Sequence, residues 1–177
     1  MAVDTDNHGR CNPMAKITIR TETEDDEPAV ATVVHRAFGQ LDEARLVSRL
    51  RTDGDVAISL VAVAAAEIVG HIMLSEMVAP FRALGLAPLY VAPEHQRKGI
   101  GRSLVQEALK QAREQGWDAV FVLGDPGYYE RFGFQVDLAR GFSSPYAGPH
   151  FMTLPLGLRL PTTSGKIDYA PAFASLS

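Results

Sequence analysis

The stretch from Leu89 to Gly116 constrains the fold more than any other part of the chain. Leu89-Tyr90-Val91 reads as a short strand that stops at Pro93. A basic, glycine-bearing loop follows, Gln96-Arg97-Lys98-Gly99-Ile100-Gly101, and opens directly into a helix. Over 101–115, Leu104, Val105, Ala108, Leu109 and Ala112 form one apolar stripe. Gln106, Glu107, Lys110, Gln111, Arg113 and Glu114 face water. Gly116 supplies the helix C-cap, and Ala119 to Leu123 reads as a buried strand. A one-faced helix set between two strands must bury its stripe on a sheet, which points to a layered fold.

The flanking sequence supplies the other layers. Ile17 to Arg20 alternates like a short strand. The acidic run Glu22 to Glu27 and Pro28 suit the first turn of a helix carrying Val30, Val33, Val34, Ala37 and Phe38, ended by Gly39. A second helix is expected from Asp42 to Arg51, burying Leu46, Val47 and Leu50. Val56 to Val63 and Ile68 to Val78 favour an antiparallel hairpin. Ala64-Ala65-Ala66 lacks the usual Asn-Gly, so a helical turn stays open there. Pro80 and Pro88 are expected to bracket a loop. Tyr128 to Phe132 is expected as one helical turn, with Phe134 to Leu138 and Phe151 to Leu158 as late strands. The fold class is therefore mixed α/β (α+β). We expect a loose tail over residues 1–15, one domain over 16–160, and a polar, Pro-containing segment over 161–177 that packs on it.

Composition narrows the function classes. The net charge of −4 and the pI near 5.7 argue against nucleic acid or an anionic membrane as a partner. The single cysteine, Cys11, excludes an internal disulfide. The five histidines, His8, His35, His71, His95 and His150, show no metal-ligand spacing, so no metal is expected. The N-terminus lacks a basic region followed by an apolar one, and the expectation is a cytoplasmic protein. Ser143-Ser144 lacks the setting of a hydrolase elbow.

The glycine loop carries the chemistry. Gly99 and Gly101 let backbone amides approach a ligand, and the helix start offers free N–H groups and a positive dipole end. Arg97, Lys98 and Arg102 add positive charge in an otherwise acidic chain. The inference is a pyrophosphate cradle; a solvated glycine turn is the structural alternative. Neither the nucleotide triphosphate loop nor the dinucleotide G-x-G-x-x-G spacing is present.

Gln96-Arg97-Lys98-Gly99-Ile100-Gly101, after Leu89-Tyr90-Val91-Ala92-Pro93, resembles the Q/R-x-x-G-x-G/A signature of the GNAT superfamily of acyl-CoA-dependent N-acyltransferases. Tyr128-Tyr129-Glu130-Arg131-Phe132-Gly133-Phe134 resembles that family's late L-Y-E-K-L-G-F segment. Val122 to Pro126 and the 142–173 tail look most like its YhbS-like branch. The resemblance implies a single domain with a mixed, mostly antiparallel sheet flanked by helices. Its central strands would splay at Tyr90-Val91 to seat acetyl-CoA.

It further implies that Gln96, Arg97, Lys98, Gly99, Ile100, Gly101 and Arg102 hold the coenzyme A pyrophosphate. The backbone of Tyr90 and Val91 would pair with the pantetheine arm, and Tyr129 would protonate the departing thiolate. Val122 and Asp125 stand where many members carry Asn and Ala. The implied activity is N-acetylation of a small-molecule or peptide amine by direct attack in a ternary complex. The alternative is a non-catalytic acyl-CoA-binding or sensing module.

An alkylamine with a pKa near 10.4 is only about 0.04% neutral at pH 7, so attack needs a deprotonation route. Glu76, late in a predicted strand, is the candidate base. Glu94 and His95 stand beside the loop, and a water chain serves this role in some family members. Phe81, Arg82, the 142–150 loop and the C-terminal segment are expected to border the acceptor. A homodimer is the default association.

Overall fold

The computed structural model describes residues 15–38 and 42–176. The readings placed on residues 1–14 and on Gly39 lie outside these. Strand β1 (Ile17–Thr21) turns through Glu24–Asp26 into helix α1 (Glu27–Phe38), and α2 (Asp42–Asp53) follows. The Asp26 carboxylate fixes this corner. It accepts from the Thr23 amide at 2.8 Å and from both Arg20 guanidinium nitrogens at 2.6 and 2.9 Å. Those bonds hold its carboxyl well below the usual range.

Next come β2 (Val56–Ala64), β3 (Glu67–Glu76), β4 (Ala83–Val91), α3 (Ile100–Glu114) and β5 (Ala119–Leu123). The chain then makes two short helices, α4 (Pro126–Tyr129) and α5 (Val136–Ala139). Strands β6 (Phe142–Ser143), β7 (Phe151–Pro155) and β8 (Gly165–Lys166) complete it, with a final helical turn at Pro171–Leu176.

The main sheet has the order β1-β2-β3-β4-β5-β7. Its first four strands are antiparallel, β4 and β5 run parallel, and β7 returns antiparallel on β5. The α3 stripe buries Leu104, Val105, Ala108 and Leu109 against Ile58, Leu60, Ile72, Leu74 and Leu84 on one face. On the other face, α1 and α2 cover Val61 and Met73, joined by Phe173 from the C-terminal turn. The single domain is thus a mixed sheet with helices on both faces.

Three details depart from the sequence expectations. Pro88 does not end a loop; it lies inside β4, which runs nine residues from Ala83. It is tolerated because β4 bulges there: Leu74 pairs with Leu86 but Ile72 with Leu89, one extra residue on β4. Phe134 to Leu138 is not a strand. Only Gln135 bridges to Thr153, and the chain then coils into α5. A short apolar run of this kind satisfies either period, and packing decides. The expected strand from Phe151 ends at Pro155 rather than Leu158.

The bulge has a consequence for side-chain direction. Before it, Leu84 and Leu86 face α3; after it, Leu89 and Val91 do, and Tyr90 is delivered to the α1 side. There its hydroxyl lies 3.0 Å from His71 Nδ1. His71 Nε2 lies 3.1 Å from Glu22 Oε2 and 2.8 Å from Ser59 Oγ, and Glu22 is also bonded to Ser59 and Arg51. An imidazole protonated on Nε2 satisfies the set: it donates to Glu22 and accepts from Tyr90. Burial lowers the His71 pKa and outweighs the pull of Glu22, whose charge Arg51 shares. Burial raises the Glu22 carboxyl, but hydrogen bonds from His71 and Ser59 with the charge of Arg51 bring it below its usual value.

Two predictions follow from these features. Ala65 and Ala66, between the paired residues Ala64 and Glu67, have φ of 47° and 65°, the left-handed values of a type I′ turn. L-alanine is disfavoured there, so the double change Ala65→Asn, Ala66→Gly should stabilise the fold by about 1 kcal/mol in urea unfolding. For His71, the lowered pKa means the unfolded chain takes up a proton near pH 6.5 that the folded one refuses. Stability is therefore held above pH 6.5 and lost as pH falls below it, by up to about 1.4 kcal/mol per pH unit. His71→Gln should flatten the slope of unfolding free energy against pH between 6.5 and 5.

Candidate active site at the strand gap

Strands β4 and β5 stay together for only three pairs, Ala83 with Ala119, Leu84 with Val120 and Gly85 with Phe121. The splay thus begins just after Gly85, five residues earlier than Tyr90-Val91. Tyr169 explains the position. Its ring lies so close to Gly85 that a Cβ there would stand 2.6 Å from Cε1. The aromatic wedge sits where the strands part, and only glycine gives it room.

At the far end of β4 the cradle takes shape. Gly99 caps α3 with φ of +81°, a left-handed value glycine adopts without strain, and no acidic residue occupies the first turn. The cradle cavity, about 670 Å³, is lined by Leu89, Tyr90, Val91, His95, Gln96, Arg97, Gly99, Ile100, Gly101, Arg102, Tyr128 and Arg131. No carboxylate is among these described lining residues. Three guanidinium groups and a helix N-terminus there make a site for a polyanion.

The expected residues divide by role. The Gln96 side chain donates to the Val91 carbonyl at 3.0 Å and ties the loop to the strand end. Lys98 folds back to the Glu94 carbonyl at 3.0 Å and is not in the lining. Tyr128 and Arg131 are cradle residues that sequence reasoning missed. Arg131 stacks over the Tyr128 ring at 4.8 Å, and a Cβ on Gly101 would stand 2.9 Å from the Tyr128 hydroxyl. Their position in the late motif was the available signal.

Asp125 sets the late motif in place. Its side chain accepts from the Gly127 amide at 2.9 Å, and its carbonyl takes the Tyr128 and Tyr129 amides at 3.0 and 3.1 Å. This N-cap starts α4 and directs Tyr129 over Gly124, where a Cβ would stand 2.5 Å from the ring. The Tyr129 ring also packs edge-on against Phe134 at 5.7 Å. Burial raises its pKa far above that of a free phenol, so it stays protonated.

Glu76 is not brought to the cradle. It is exposed at the end of β3 and pairs with Leu84, about 20 Å along the strands from Tyr90. Arg82 is also remote, donating to the Gln115 and Gly116 carbonyls at the C-terminus of α3 and stacking on Trp117. Phe81 packs with Phe121 and Phe142.

A second cavity, about 430 Å³, opens at the splay between Leu86 and Ala87 of β4 and Leu123 of β5. Tyr146 from the 142–150 loop and Tyr169, Phe173 and Ala174 from the C-terminal segment close it. That segment is pinned to the chain after β3 by paired backbone bonds between Val78 and Asp168. Burial raises the Tyr169 pKa, with Tyr146 and Tyr129 adding to the shift, so the three phenols lie within electrostatic reach of one another. Among the described residues, no group of His, Cys, Asp and Glu is arranged to hold a metal ion.

Comparison with known proteins gives the arrangement its family. Residues 56–136 match the acetyltransferase (GNAT) domain. The chain is 37% identical to the uncharacterized N-acetyltransferase YhbS of Escherichia coli over 122 residues, covering 67% of this chain and 73% of that one. It is 36% identical to E. coli YjhQ, also an uncharacterized N-acetyltransferase, over 141 residues, covering 75% and 77%. The crystal structure of E. coli YhbS in complex with CoA superposes with a TM-score of 0.85 at 30% identity, over 92% of this chain and 94% of that one. A GNAT family acetyltransferase from Brucella melitensis in complex with acetyl-CoA gives 0.77 at 32%, over 90% and 99%. By these matches the chain belongs to the GNAT family of N-acetyltransferases.

Proposed function

We propose that this protein transfers the acetyl group of acetyl-CoA to an amine by direct attack in a ternary complex. One observation carries the reading. The edge of β4 that β5 abandons runs from the cavity at Leu86 and Ala87, past the bulge at Pro88, to the cradle at Leu89 to Val91. An extended arm laid along that edge joins a pyrophosphate in the cradle to a thioester at the cavity mouth. The two relatives with bound CoA and acetyl-CoA support that occupant.

In this reading the amides at the start of α3 with Arg97, Arg102 and Arg131 hold the pyrophosphate. Gln96 shapes the loop from behind, and Tyr90 and Val91 present backbone to the pantetheine arm. The amine nitrogen attacks the thioester carbon, a C–N bond forms and the C–S bond breaks. Tyr129, kept protonated by burial, donates to the departing sulfur, and the proton lost by nitrogen leaves through water. Holding both reactants in one cleft supplies much of the acceleration. Glu76 is given no part in this scheme, because it lines neither the cradle nor the cavity at the splay. The protonated Tyr129 beside the gap favours turnover over a purely binding module.

Two measurements test the scheme. Calorimetric titration should show selective binding of acetyl-CoA over ATP and NADH. Arg102→Glu should weaken that binding by about 100-fold, since it replaces an exposed guanidinium of the cradle with a carboxylate. The same carboxylate suits a helix start, so the melting temperature should hold. Unchanged affinity would remove the cradle assignment. Tyr129→Phe should lower kcat at least about tenfold while leaving acetyl-CoA affinity within about twofold; an unchanged kcat would move the acid elsewhere.

A further inference from the structure

The cavity at the splay differs from the cradle in every chemical respect. Leu86, Ala87, Leu123, Phe173 and Ala174 line it together with Tyr146 and Tyr169. No carboxylate stands among these described lining residues. The Tyr169 hydroxyl is buried and has no hydrogen-bond partner among the described residues. We propose that this cavity is the acceptor subsite and that it admits a weakly basic amine on an apolar body, of the arylamine class, and rejects an alkylammonium. This rests on the transfer reading above.

Two independent requirements converge on that acceptor. The first is burial. Moving an ammonium ion into an apolar site without a counter-ion costs several kcal/mol, whereas an arylamine is neutral at pH 7 and pays no such penalty. The aromatic rings do not offset the cost for a cation. Tyr146 meets Tyr169 edge-on at 5.3 Å and 87°, and Tyr169 meets Phe173 at 4.9 Å, so these rings already pack on each other. The second requirement is deprotonation. Glu76, the carboxylate singled out as base, is not among the described residues that line this cavity, and an arylamine presents its lone pair without a base. Its nitrogen attacks the thioester carbon and the C–S bond breaks. Sulfur takes the Tyr129 proton, and the N–H proton lost from the product amide returns to Tyr129 through water. The cavity volume, about 430 Å³, is within the range for small ligands and accommodates a single ring.

The test compares 4-methoxyaniline, benzylamine and N-α-acetyl-lysine amide at pH 7 with saturating acetyl-CoA, following thiol release and acetylated product. The expected kcat/KM for 4-methoxyaniline exceeds that for benzylamine at least 100-fold. Leu123→Asp, at a half-exposed position of the lining, supplies the missing counter-ion and should reduce this ratio at least tenfold. Benzylamine or the lysine amide matching or exceeding the arylamine in the unaltered protein overturns the proposal and leaves acetyl transfer standing. No turnover of any of the three, from protein that binds acetyl-CoA, overturns the proposal together with the transfer reading.

Discussion

Everything functional in this molecule depends on two parallel strands that stop pairing. β4 and β5 share three residue pairs and then diverge, so β4 keeps β3 on one side and offers a bare edge on the other. A bare edge inside a sheet is normally a liability, because unpaired amides and carbonyls seek partners. Here it lies between a polycationic cradle and an apolar cavity, and in the proposed function a bound extended arm supplies those partners. The wedge at the branch point is Tyr169, seated on Gly85 from the C-terminal segment.

The second constraint is the bulge at Ala87-Pro88. One extra residue reverses the facing of every side chain after it, which is why Leu89 and Val91 continue the α3 face while Tyr90 turns to the opposite one. Tyr90 then closes a buried chain through His71 and Glu22 to Arg51 on α2. The strand end that carries the cradle is thereby tied to β1, β2, β3 and α2 by hydrogen bonds rather than by packing alone. A neutral histidine suits that position, since a charged one would need solvation that the core does not give.

The cradle was legible in the sequence because its parts are contiguous. A strand, two glycines, a run of basic residues and an amphipathic helix follow one another, and each depends on local backbone freedom or on helical periodicity. The late motif was legible in the same way, although the cap by Asp125 and the cradle roles of Tyr128 and Arg131 were not. Those depend on how α4 lies against α3, which no local pattern reports. Glu76 reads as a cleft residue from its place late in a strand, but register sets it beside Leu84, at the opposite end of β4 from the cradle and outside the lining of both cavities. Pro88 misled because a proline reads as a break unless the partner strand is known to skip a residue.

By itself the sequence determined the elements: the α3 stripe, the anion-seeking loop, the β2–β3 hairpin and the two faces of α1 and α2. Burial periodicity and turn chemistry act over a few residues, so they are written in order along the chain. The tertiary structure alone decided where β4 leaves β5, which face Tyr90 takes, and that Tyr146, Tyr169 and Phe173 meet Leu86 and Leu123 around one cavity. These are contacts between segments tens of residues apart. They exist only once register, bulge and crossover are all satisfied together.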